Sequence, residues 1–104
     1  MSTYRPLPSS LTIGNSAIHG LGVFAVEIIP PHTSLGMSRI KASYPGDDEE
    51  WVRTPLGGFI NHSEEPNCIA RFFKGDAGEY MNVYTIGRIL PGQELSLKYT
   101  LYTP

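Results

Sequence analysis

The residues best equipped for chemistry lie between Gly57 and Cys68, in the run GGFINHSEEPNC. Asn61, His62 and Ser63 follow directly behind the apolar step Phe59-Ile60, and such side chains satisfy backbone groups or a ligand with both donors and acceptors. Gly57 and Gly58 let another group approach the main chain closely. Taken alone, the run also fits a turn held by its own Asn and Ser side chains and closed by Pro66-Asn67. It has two companions, SAIHGLGVFA at 16–25 and PGQELSLKY at 91–99.

Other chemistries are excluded or weakened by composition. Cys68 is the single cysteine, which rules out an internal disulfide and a cysteine-rich zinc site. No basic partner adjoins Cys68, so it reads as a small apolar packing residue and not as a nucleophile. Asp47-Asp48-Glu49-Glu50 are four consecutive acids that cannot all face one point, and they read as a solvated turn and not as a metal site. Net charge is −2 with scattered basic residues, which leaves no footprint for nucleic acid. No apolar run reaches membrane-spanning length and the N-terminus lacks the apolar core of a signal peptide, so an intracellular protein is expected.

The elements that position these runs must be short. Eleven glycines and nine prolines among 104 residues leave little room for long helices. Together with interspersed Val, Ile, Thr, Tyr and Phe they predict many short strands joined by tight turns. Residues 1–10 read as a loose lead-in. Strands are expected at 11–13, at 23–26 behind Gly20 and Gly22, at 33–40, at 69–73 and at 79–86 across a turn at 74–78. A last strand at 93–99 alternates Leu95, Leu97 and Tyr99 against Ser96 and Lys98, which predicts one buried face. The best helical candidate is 47–53, led by acids that suit a helix N-terminus. Glycines before a strand reverse the dinucleotide-binding order of strand, glycines and helix, so a Rossmann fold is not expected. No repeat, linker or second domain is read.

The three runs, in this order, resemble a SET domain, the fold of most protein lysine methyltransferases. The resemblance spans nearly the whole chain and rests on the joint match of Asn-His-Ser…Pro-Asn-Cys with Gly-Gln-Glu-Leu-Ser…Tyr. It implies a mainly β fold of small twisted antiparallel sheets, a β-clip-like architecture over 11–104. The C-terminal segment would thread beneath the loop after Asn-His-Ser as a pseudoknot. It also implies S-adenosylmethionine as cofactor and a protein or peptide substrate bearing a lysine.

By the same resemblance Gly20, Leu21 and Gly22 lie along the cofactor, and Phe59, Asn61 and His62 hold its adenine and methionine ends, partly through main-chain groups. His62 also reads as a residue that knits the knot. Tyr99 matches the active-site tyrosine that aligns the lysine amine with the methyl group. Tyr102 either lines the same lysine channel or is an exposed tail residue; Tyr84 either lines it or is a strand residue of the core. Glu94 is expected to tie the knot by hydrogen bonds. Two features depart from the pattern: Gly58 stands where many relatives carry arginine, and Glu64 where many carry a zinc-binding cysteine. With no cysteine cluster after Tyr99, no zinc module and no metal are expected. Small viral members of this kind act as homodimers, and the same is expected here. A non-catalytic SET-like binding module and a structural all-β protein are the alternatives to a methyltransferase.

Overall fold

The computed structural model describes residues 7–42, 50–75 and 78–98, and the side chains of 7–41, 51–75 and 78–98. Along the chain come β1 (Leu11–Asn15), β2 (Leu21–Ala25), β3 (Ser34–Ala42), β4 (Glu50–Arg53), α1 (Pro55–Phe59), β5 (Asn61–His62), β6 (Cys68–Gly75), β7 (Gly78–Thr85) and β8 (Glu94–Leu97). They form two four-stranded sheets, ordered β1-β2-β8-β5 and β4-β3-β7-β6. No described helix is long and apolar enough to cross a membrane.

Both sheets bury one set of branched residues against each other: Val23, Ile29, Leu35, Ile60, Val83, Ile89 and Leu95 are almost fully covered. The expected strands are present, with β2 starting earlier, at Leu21, and the β6–β7 pairing running on to Gly75 opposite Gly78. Two expectations fail. Glu50–Arg53 is not helical but a strand paired with β3, because Trp51 and Val52 find ladder partners in Lys41 and Ile40; Asp47–Glu49 lie outside the described residues. In β8 both faces are covered, Ser96 as well as Leu95 and Leu97, since the strand is enclosed between β2 and β5.

The one described helix was not expected. Thr54 caps it, its hydroxyl accepting from the Gly57 amide at 3.2 Å, and Pro55 occupies the first turn, where a missing N–H costs nothing.

An internal twofold relation also emerges. The Ala25 amide donates to the Gln93 carbonyl and the Thr85 amide to the Thr33 carbonyl, each at 3.0 Å. The Gly92 amide donates to Ala25 and the His32 amide to Thr85, each at 2.8 Å. Between them Ile29 and Ile89 exchange amide and carbonyl at 2.8 and 2.9 Å. Residues 23–35 therefore meet 83–95 as two copies of one bent strand. His32 and Gly92 hold equivalent turn positions with φ of 59° and 87°, the left-handed region that glycine enters freely and histidine tolerates.

Candidate active site

Asn61 is the hub of the site. Thr54 and Pro55 start α1, and Gly57 lets the helix lie against the Ser38 carbonyl, where a Cβ would overlap the oxygen. The helix thereby drops Ile60 into the core and delivers Asn61 and His62 into β5, parallel to β8. The two N–H groups of the Asn61 side-chain amide are shared among four acceptors, the carbonyls of His19 at 3.0 Å and Leu21 at 3.1 Å, Ser16 Oγ at 3.1 Å and a Glu94 carboxylate oxygen at 2.9 Å. Ser16 Oγ in turn donates to the same carboxylate at 2.7 Å and accepts from the Ile18 and His19 amides. Gly22 is buried against this cluster, and a Cβ there would overlap Glu94 Oε2. The 16–22 loop is thus closed on itself and fixed to β5 and β8 by polar side chains.

The knot is locked by Asn67. Its amide donates to the Glu94 carbonyl at 2.8 Å while its oxygen accepts from the Ser96 amide at 2.8 Å. Its own carbonyl accepts from Ile86 at 2.9 Å. One side chain therefore grips β8 from above as a neighbouring strand would, and β8 passes beneath the 63–67 loop. Beyond it, Glu64 lies 3.4 Å from His62 Nε2 and 3.3 Å from Lys98 Nζ. The hydrogen bond from His62, then the one from Lys98, holds its carboxyl below the usual value. That cluster is solvated and its link is weak.

A small cleft opens where β8 ends. Ser38, Arg39, Gly57, Ile60, Ala70, Met81, Leu97 and Lys98 form its walls. Ser38 and Arg39 both reach it because β3 bulges between Met37 and Arg39, which puts two residues of β3 against one step of β7. Ser38 is buried and its carbonyl accepts from the Thr54 amide at 3.0 Å. Neither Ser38 nor the bulge was signalled by any residue pattern in the sequence.

The expected residues are placed as follows. Gly20, with φ 46°, has open space where a Cβ would stand, as does Gly58. Leu21 is 48% and Phe59 37% exposed, so both keep apolar surface beside those glycines' elements. Asn61 and His62 sit on β5 next to β8, and the Glu94 tie is present. Tyr84 stands apart from the cleft: it shares a β7 face with Tyr80, rests 6.4 Å from the Phe73 ring and borders a groove with His32, Ile69 and Arg71. Met81 and Ala70, which line the cleft, are on the other face. Tyr99 and Tyr102 lie outside the described residues. Cys68 is buried, and burial pushes its thiol up to about 12, which keeps it protonated. Among the described residues no three His, Cys, Asp or Glu side chains converge on one point. Ser16 and Asn67 carry much of the site's geometry without having been singled out, although both lie inside the motif runs.

A SET-domain profile matches residues 37–100, and the chain belongs to the SET-domain family. It is 32% identical over 116 residues to histone-lysine N-methyltransferase TRX1 of Oryza sativa subsp. japonica, covering 86% of this chain and 11% of that protein. It is 26% identical to the H3 lysine-37 specific histone-lysine N-methyltransferase of Schizosaccharomyces pombe, over 88% of this chain and 74% of the relative. Among solved structures, a Plasmodium falciparum protein superposes with a TM-score of 0.72 at 21% identity, over 88% of this chain and 94% of that one. A Chaetomium thermophilum Polycomb Repressive Complex 2 bound to S-adenosylmethionine superposes with a TM-score of 0.70 at 17% identity, over 91% of this chain and 16% of that one. The small twisted sheets are the SET fold. The chain spans about a tenth of the rice relative's length.

Proposed function

We propose that the protein is an S-adenosylmethionine-dependent protein-lysine N-methyltransferase. The observation that carries the reading is the convergence at Asn61: the 16–22 loop, β5 and the strand leading to Tyr99 are bound together by one side chain and the Glu94 carboxylate. The residues present fit the cofactor. Gly20 and Gly58 leave room at the backbone, and Leu21 and Phe59 offer apolar surface of the kind that lines a small-ligand site. When bound, the cofactor supplies an electrophilic methyl group on a sulfonium.

The chain's own part is alignment and exclusion of water. Strand β8 ends against the cleft of Ser38, Ile60 and Met81, so a lysine entering there meets the C-terminal end of β8. The amine must arrive neutral, and burial disfavours its ammonium form. Tyr99, the next residue but one after Leu97, orients the amine through its phenol oxygen, and positioning of this kind is where rate enhancement is available. Glu94 is committed to Ser16 and Asn61 and supplies no base.

The test is calorimetric binding of S-adenosylmethionine combined with transfer of a labelled methyl group to peptide lysines, in the natural chain and in Tyr99→Phe. The natural chain is expected to bind and transfer; the variant is expected to bind with little change and to transfer poorly. Binding without transfer in the natural chain would make it a binding module, and no binding at millimolar cofactor would remove the reading. Sedimentation of the purified chain tests the homodimer that the resemblance implies.

A further inference from the structure

The wall of the cleft carries positive charge that lysine entry does not explain. Arg39 lines the cleft, and Arg53 stands directly across from it in the β3–β4 ladder. Residues paired in this way leave the same face of a sheet, and like charges so placed destabilise the pair. Met81, the partner of Arg39 on the other side, is on that face too and also lines the cleft. Two other cations of the chain are paired: Lys41 has Glu79 at 3.0 Å and Lys98 has Glu64 at 3.3 Å. Among the described residues no carboxylate forms an ion pair with Arg39 or Arg53. Guanidinium groups present forked N–H donors that match a planar carboxylate.

A wall of this sign repels the ammonium group of an approaching lysine. The repulsion is removed when the same peptide brings an anion. In an extended peptide, side chains two residues apart leave the same face about 7 Å from one another, so an acid near the lysine faces the same wall. Building on the lysine-methyltransferase reading, we infer that the substrate carries Asp or Glu within two residues of its target lysine, and that this carboxylate docks on Arg39 and Arg53. Arginine pairing then selects the sequence around the lysine, while strand-edge pairing supplies affinity that tolerates sequence.

The test uses peptides with one lysine and Glu, Gln or Lys at each of the two flanking positions on either side. Each is assayed for methyl transfer from S-adenosylmethionine and, separately, for binding by fluorescence anisotropy. At the preferred position the Glu peptide should exceed the Gln peptide by about fivefold in kcat/KM and in affinity, with the Lys peptide lowest. Arg53→Gln should abolish this order and Arg53→Glu should invert it, both with a melting temperature close to that of the natural chain, since the Arg53 side chain is exposed. Equal behaviour of the three peptides at every position, or an order unchanged in Arg53→Glu, would overturn the inference; turnover of the Gln peptide would still support methyl transfer. Absence of transfer to every peptide fails the methyltransferase reading instead, and the anisotropy order still decides the preference for acid. No preference for Glu in the natural chain, with one appearing only after Asp47–Glu49 are replaced by Asn and Gln, would assign the arginines to the chain's own acidic run and also overturn it.

Discussion

The Asn61 side-chain nitrogen lies 2.9 Å from a carboxylate oxygen of Glu94, a residue 33 positions further along the chain. That contact joins the end of α1 to the strand that threads the knot, and Ser16 extends it to the loop before β2. Site and knot are therefore one hydrogen-bonded unit, and damage to either should register in both.

Asn61→Ala should cost about 1–3 kcal/mol of stability, because the Glu94 carboxylate and two loop carbonyls lose a donor in a partly buried place. It should also weaken cofactor binding, as the 16–22 loop is released. Gly22→Ala should give the same pair of effects from the opposite side, since its Cβ displaces Glu94 Oε2 and disturbs the bond to Asn61. Denaturant melts and cofactor titration of both variants check this; stability falling without any change in affinity would separate knot from site.

Gly57→Ala and Gly58→Ala should move in opposite directions. At Gly57 the added Cβ overlaps the Ser38 carbonyl, a backbone atom held by Thr54, so relief requires moving α1 away from β3. A loss of about 1–3 kcal/mol is expected, with a lower melting temperature. At Gly58 the space is open, and alanine in place of helical glycine should raise stability by about 0.5–1 kcal/mol.

Cys68 makes stability fall at alkaline pH. Its folded-state thiol is raised from an ordinary 9.0 to about 12 by burial, so the unfolded chain releases this proton first. The contribution is fully present below pH about 9 and is lost between about 9 and about 12, at up to about 1.4 kcal/mol per pH unit. Denaturant midpoints measured across that range should drop more steeply for the natural chain than for Cys68→Ala. Thiol reagents should modify the native protein only as fast as it unfolds.

His32 and Gly92 occupy equivalent left-handed turns and should respond unequally to substitution. Gly92→Ala should cost about 1–2 kcal/mol from the Cβ alone. His32→Val should cost at least as much, because a β-branched residue is an outlier there, while His32→Gly should change stability by less than about 1 kcal/mol. Equilibrium unfolding of the three variants provides the comparison.

The strands around the motif runs were legible because they are written in branched and aromatic residues bounded by glycine and proline: Val23–Ala25, Ile69–Phe73 and Leu95–Leu97 each stand where that chemistry puts them. Helix α1 was missed although Thr54-Pro55 is a helix-start signal, since Gly57 and Gly58 read as loop; the structure uses one of them for a backbone contact that sequence does not reveal. At Glu50–Arg53 the acidic lead suggested a helix, and cross-strand partners on β3 decided otherwise. The twofold relation left little trace because the two halves share a path and few side chains: Val23 with Val83, Ile29 with Ile89, Pro31 with Pro91 and Leu35 with Leu95. Asn61 stood out from its motif, but its four bonding partners come from the 16–22 loop and β8, and distances of that kind are set by the knot.

The Ile29–Ile89 exchange has a kinetic consequence. Its two residues are 60 apart in the chain (89 − 29), and every bond beside it spans a similar separation. Closing such a loop costs chain entropy before any contact compensates for it, and topologies dominated by distant pairings fold slowly. During synthesis residues 23–26 can pair with β1, but 29–35 must wait for their counterparts at 83–89. Folding of this domain therefore waits for its last strands, and a chain halted before Ile89 lacks both the clasp and β8, the strand that joins β2 to β5.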